Sequence, residues 1–241
     1  MTMQVGMVGT DGILLASDTR WTYTPRLRSN ELWAGGRYTG SAEKIIVSHE
    51  RNLAVTCARN MEVARRMASA IVAGLPDEQL AHPMAALENI GNDVLSSCEE
   101  RRNEAQCLIA FTKPTLQLFI LQFGTLNGTY RAVAQRFGDY CFAGDNFTPS
   151  LFWIERYYNK RVPLPIEQLA PLAAHFIIAT SKLTTMVSGL EMVFCRPSGI
   201  SRLSDESIQR LEAQAHKWDE EFGNTVLTHT QQFTYAPNVI V

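Results

Sequence analysis

Short apolar runs separated by turn residues open the chain. Blocks with apolar residues at helical spacing follow. The pattern reads as strands, two helices, strands, two helices, a strand and a helix. Residues 3–9 and 13–18 are apolar runs split by Thr10-Asp11-Gly12. This predicts a hairpin with a three-residue loop in which Gly12 takes the left-handed conformation. KIIVS (44–48) and LAVTC (53–57) predict a second hairpin about His49-Glu50-Arg51-Asn52. Asn60 suits the N-cap of a helix with Met61, Ala64, Ala68, Ile71 and Leu75 on one stripe, closed by Gly74 and Pro76. Pro83 marks the start of a second helix, with Leu87, Ile90, Val94 and Cys98 in line.

Strands resume at CLIAF (107–111) and LQLFILQF (116–123), joined by Lys113-Pro114-Thr115. The second is apolar at both parities and is expected to be covered on both faces. Asn127-Gly128 signals another hairpin, and YCFAG (140–144) a short strand. Thr148-Pro149 starts a helix with Leu151, Ile154 and Tyr158. A more apolar one follows over 165–183 with Leu169, Leu172, Phe176 and Ala179, its exact start blurred by Pro171. LEMVFC (190–195) is a late strand. The last helix runs from about Ser204 with Ile208, Leu211, Ala215, Trp218 and Phe222 inward, and the tail NVIV suits a sheet edge. The connection over 19–43 holds Pro25, Gly35, Gly36 and Gly40, reads as irregular, and has the length of an interaction or gating loop. Helices must cover the outer face of a sheet whose inner face packs on another sheet. The expected fold is therefore α+β: a four-layer αββα sandwich of two stacked antiparallel sheets between helical layers. One domain over 1–241, with a long inserted loop at about 19–43, accommodates it.

Composition narrows the function more than the fold. A net charge of −2 with both signs interspersed argues against a nucleic-acid binder. No apolar stretch approaches the roughly 20 residues that span a bilayer, and the first residues lack the pattern of a secretory signal. Five dispersed cysteines without a CxxC pair suit buried thiols in a cytoplasmic protein. The scattered histidines offer no metal site, and no cofactor is expected.

The chemistry that stands out is Thr2. Removal of Met1 would give it a free amine beside its hydroxyl, a base and a nucleophile in one residue. A three-residue loop pairs Gly9 with Ile13 and sets Thr2 opposite Arg20, so Thr2, Asp18 and Arg20 share a face. Asp18 is then a diagonal neighbour of Thr2 at roughly 7–8 Å, too far for a hydrogen bond but leaving room for a third group such as a lysine.

Thr2, the segment G-I-L-L-A-S-D-T-R with Asp18 and Arg20, and Lys44 at the head of K-I-I-V-S resemble the proteasome-like N-terminal-nucleophile hydrolases. A single Met1 before the threonine and the long 19–43 connection point to the bacterial HslV-like branch, in particular the betaproteobacterial proteasome homologue. The resemblance implies a self-compartmentalising threonine peptidase acting on peptides or unfolded proteins. It implies a homo-oligomer of stacked rings of six or seven subunits, with an AAA+ unfoldase as a possible partner. Thr2 would be the nucleophile, assisted by Asp18 and Lys44. The family's oxyanion glycine falls at Arg59, whose backbone N–H can still donate. The serine beside the amine falls at Asp145, and the later Asp-x-x-Ser pair reads Thr185-Met186-Val187-Ser188, keeping Ser188. A ring-forming scaffold or binding protein with little peptidase activity, and an amidase acting on a small molecule, are the alternatives. The substituted positions 59 and 145 motivate the scaffold.

Overall fold

The computed structural model describes residues 2–23, 38–98, 104–144 and 164–231. The first two strands, β1 (Met3–Val8) and β2 (Ile13–Ser17), form the expected hairpin, but in a different register. Val8 pairs with Ile13 and Gln4 with Ser17, and the Gly9 N–H donates to the Gly12 carbonyl at 2.8 Å. The loop is therefore Thr10-Asp11, one residue shorter than the sequence suggested. Gly12 is not among the residues at positive φ. Its need for hydrogen in place of a side chain is steric: a Cβ there would lie 2.6 Å from the Cys195 carbonyl oxygen.

The connection after Asp18, expected to be irregular, is a ribbon at its ends. Strands β3 (Arg20–Tyr23) and β4 (Tyr38–Ser41) pair antiparallel. Its centre, residues 24–37, lies outside the described residues, as do Asp145, the helix expected after Thr148-Pro149 and the NVIV tail. The second hairpin, β5 (Ile45–Ser48) and β6 (Leu53–Thr56), is as expected, with Asn52 in the left-handed region of its turn. After a two-residue strand β7 (Ala58–Arg59) comes helix α1 (Met61–Gly74). The Asn60 side chain caps it by accepting from the Val63 N–H at 3.3 Å. Helix α2 (Met84–Ser96) begins after Pro83.

Strands β8 (Ala105–Phe111), β9 (Gln117–Leu126) and β10 (Thr129–Phe137) form a meander. Its last turn uses Asn127 and Gly128, both at positive φ, as a two-residue hairpin requires. Gln117–Leu121 is fully buried, which agrees with cover on both faces. Then come β11 (Tyr140–Gly144), helix α3 (Ile166–Leu183), β12 (Glu191–Arg196), β13 (Gly199–Arg202) and helix α4 (Asp205–Gln231).

The fold is α+β with two antiparallel sheets. One has the order β11-β1-β2-β12-β13, the other β10-β9-β8-β6-β5, with β7 added on β8. Alternation along β2 divides its residues between two cores. Leu14 and Ala16 join a cluster with Leu169, Phe176 and Ile177 of α3. Ile13 and Leu15 join a cluster with Ala54, Leu108 and Leu118 of the other sheet. A third cluster packs Val55, Ile109 and Leu121 on Met67, Ile71 and Leu87 of α1 and α2. β1 is an interior strand, so the residue that precedes it is held from both sides.

Candidate active site

Thr2, Asp18 and Lys44 come together where β1 begins, β2 ends and β5 begins. All three are buried, Lys44 and Asp18 completely. Lys44 Nζ lies 2.8 Å from Asp18 Oδ2 and 3.4 Å from Thr2 Oγ1. The lysine occupies the space between threonine and aspartate that the strand spacing had suggested. Asp18 arrives there by a different route from the expected shared face. In the observed register it pairs with Met3: its N–H donates to the Met3 carbonyl at 3.1 Å, and the Met3 N–H donates to Oδ1 at 2.9 Å. One carboxylate oxygen thus fixes the main chain next to Thr2 and the other holds the ammonium.

Burial pushes the Asp18 carboxyl up from its usual range, an effect the Lys44 charge opposes. Burial likewise pulls the Lys44 ammonium down, against the pull of Asp18. Desolvation disfavours either charge alone, so the pair is held together by its short contact and by the Met3 N–H. A cation at 3.4 Å from a hydroxyl favours the oxyanion of that hydroxyl.

Two glycines set the walls. Gly144 has φ 101° and pairs with Met3, and a Cβ there would lie 1.9 Å from the Thr2 carbonyl oxygen. Its N–H donates to Gln106 Oε1 at 2.7 Å, which ties the end of β11 to the other sheet. Gly189 has φ 70°, and a Cβ there would meet Thr19 Oγ1 at 2.1 Å.

The other expected site residues are placed less directly. Ser188 meets the segment after Asp18 through its main chain: its carbonyl accepts from the Thr19 and Arg20 N–H groups, each at 3.1 Å. Arg59 has φ 67°, a conformation that favours glycine, although its side chain is an arginine. Its guanidinium is drawn away to pair with Glu104. Gln4 Nε2 on β1 donates to the Cys57 carbonyl at 2.7 Å, which links the nucleophile strand to the segment leading into Arg59. Asp145 lies outside the described residues.

Sequence reasoning missed Glu191 and Arg202. Glu191 is buried, and its Oε1 accepts the Lys44 N–H at 2.5 Å. Its Oε2 pairs with Arg202 at 2.7 Å. Burial, only partly offset by the Lys44 N–H and Arg202, raises its carboxyl to about 7. The signal was a charged residue inside the apolar run L-E-M-V-F-C, where acidic side chains are rare unless paired. Among the described residues no cluster of His, Cys, Asp and Glu suits a metal ion. No described helix is long and apolar enough to cross a membrane.

The sequence matches no protein family model, and a search of curated proteins finds no match. Solved structures do match. Anbu (ancestral beta-subunit) from Yersinia bercovieri superposes with a TM-score of 0.67 at 13% identity, covering 98% of this chain and 100% of that one. The Anbu (Gly-1) mutant from Hyphomicrobium sp. strain MC1 gives 0.66 at 12% identity, with coverage of 98% and 100%. A further structure of Anbu from that strain gives 0.64 at 13%, with coverage of 98% and 99%. These neighbours correct the placement on the HslV-like branch beside the betaproteobacterial homologue. The two features behind that placement, a single Met1 before the threonine and the long 19–43 connection, do not set that branch apart from the Anbu fold. At this identity the likeness is one of fold, and over essentially its whole length the chain shares the fold of Anbu.

Proposed function

We propose that this protein is a self-compartmentalising threonine peptidase that hydrolyses peptide bonds in peptides or unfolded proteins. The observation that carries the reading is Lys44 Nζ, buried between Thr2 Oγ1 at 3.4 Å and Asp18 Oδ2 at 2.8 Å. A lysine and an aspartate fully removed from water at the hydroxyl of residue 2 are costly as mere structure. They are useful where a hydroxyl must become an alkoxide.

In the proposed mechanism Met1 is removed and Thr2 Oγ1 attacks the scissile carbonyl. The freed α-amine, with an ordinary pKa of about 7.7–8.0, takes the hydroxyl proton and passes it to the leaving amine. Lys44 stabilises the developing negative charge on Oγ1, and Asp18 holds Lys44. The Arg59 N–H, presented by a glycine-like backbone, serves the oxyanion. By the family resemblance alone, Asp145 and Ser188 are assigned to assist the amine. Water then hydrolyses the acyl ester on Thr2 and regenerates the site.

The same reading assigns the chain to a single four-layer αββα domain of the N-terminal-nucleophile type, with 19–43 as an insertion whose ends pair as the β3–β4 ribbon. One cluster shared between the sheets and one sheet–helix cluster on the outer side of each support it. It also assigns a cytoplasmic homo-oligomer of stacked rings.

Intact mass of the purified protein tests the first step, since the mechanism requires loss of Met1. A peptide epoxyketone, which needs both the amine and the hydroxyl of one residue, should then label Thr2 with a single adduct. Thr2→Ala should abolish labelling and turnover while leaving assembly unchanged. Met-free protein that takes no adduct and cleaves no peptide would refute the reading.

A further inference from the structure

Lys44 is the only lysine that reaches Asp18 and Thr2 among the described residues, and its side chain can do so only if its main chain is held in place. Two bonds hold it. Its carbonyl accepts the Cys57 N–H at 2.8 Å, the ordinary hairpin partner. Its N–H is taken by a side chain from the other sheet, Glu191 Oε1, at 2.5 Å.

Glu191 belongs to a small network. It stands opposite Ser17 on β2, one residue before Asp18. Arg202 on β13 pairs with Glu191 Oε2 at 2.7 Å. The same guanidinium donates to the Ile45 carbonyl at 2.7 Å and approaches Glu43 at 3.5 Å. The β12–β13 hairpin thus grips residues 43–45 with a carboxylate on one N–H and a guanidinium on the next carbonyl.

We propose that Glu191 and Arg202 are positioning residues for Lys44, a clamp between the two sheets that sets where its ammonium stands relative to Thr2. The inference rests on the peptidase reading for its catalytic consequence, but the clamp itself is a statement about geometry. Stability alone does not account for it. Glu191 is buried but Arg202 is exposed, and an ion pair with one partner in water returns little net stability. A backbone N–H donated to a carboxyl oxygen and a guanidinium N–H donated to a backbone carbonyl, by contrast, are directional, which suits them to fixing one stretch of backbone.

Three variants separate placement from packing. Glu191→Leu keeps an apolar strand but removes both acceptor oxygens. Glu191→Gln keeps an oxygen for the Lys44 N–H. Arg202→Gln, at an exposed site, releases the Ile45 carbonyl. Crystal structures of Met-free protein should show Lys44 Nζ out of hydrogen-bond reach of Thr2 Oγ1 in Glu191→Leu and still in reach in Glu191→Gln. Turnover or epoxyketone labelling should fall up to about 100-fold in Glu191→Leu with KM unchanged, the scale of a small misplacement. Glu191→Gln should restore most of it, and Arg202→Gln should lie between. The clamp is refuted if Lys44 keeps its place in Glu191→Leu, or if Glu191→Gln is as damaged as Glu191→Leu. If Glu191→Leu does not fold, Arg202→Gln and Glu191→Gln decide by the same measures. Wild-type protein that is neither labelled nor active would remove the peptidase reading, while the position of Lys44 in the variants would still decide the clamp.

Discussion

The contact between Asp18 and Lys44 has a cost that can be measured apart from any activity. Both side chains are fully buried, so removing one charge strands the other. Asp18→Asn should destabilise the fold by about 3–5 kcal/mol, as for other buried pairs broken on one side. Lys44→Met in the same protein should recover part of that loss, since no charge is then left in the interior. Urea unfolding of the two single variants and the double variant reads the coupling. Additive losses would mean that the pair does not interact as its 2.8 Å separation requires. The residue types of this trio were legible in the sequence because the proposed chemistry restricts them: a hydroxyl at position 2, a carboxylate and a lysine. Glu191 and Arg202 were not, because their meaning lies in a contact with a backbone N–H 147 residues away from Glu191. Only the misfit of a glutamate in an apolar strand hinted at it.

At the scale of elements, the hairpin that carries Thr2 is anchored at its far end. Asp11, in the turn, accepts the Ile166 N–H at 2.8 Å and pairs with Arg196 at 3.3 Å. Helix α3 has Pro165 at its N-cap and no side-chain cap of its own, so Asp11 caps it from another element. Asp11→Ala should cost about 1 kcal/mol, the usual worth of a lost N-cap, seen as a lower urea midpoint with an unchanged slope. A slope change would point to a different fault. Hydrophobic periodicity made most elements legible, including α1 with its Asn60 cap. It did not give the register of the first hairpin. A two-residue and a three-residue loop fit the same apolar pattern, and the contact that accompanies the observed one, Gly12 against the Cys195 carbonyl, lies between elements far apart in the chain. Nor did it show β13, whose four residues Gly-Ile-Ser-Arg carry one buried apolar side chain. The β3–β4 ribbon was hidden for a similar reason, since glycines in a connection read as loop until a partner strand is found.

At the scale of the molecule, Glu191 links folding to pH. Its carboxyl is raised from 4.5 to about 7 in the fold, so the folded state binds this proton more tightly than the unfolded chain. Its contribution is fully present below about pH 4.5 and is lost as the pH rises through about 7. The size is on the order of 3 kcal/mol across that window. Unfolding free energies at pH 5 and pH 7.5 should therefore differ less in Glu191→Gln than in the wild type. Equal slopes in the two proteins would show that Glu191 titrates normally.

The placement of β1 between β2 and β11 has a practical consequence for anyone handling this protein. An edge strand can peel back to admit extra chain, whereas an interior strand cannot. Thr2 is 5% exposed, with the Gly144 backbone pressed against its carbonyl. On the proposed reading, an affinity tag or fusion partner attached ahead of residue 2 turns the α-amine of this buried residue into an amide, and so removes the base and blocks both chemistry and labelling. Purification handles therefore belong elsewhere on the chain, and an inert preparation made with an amino-terminal tag says nothing about the native site.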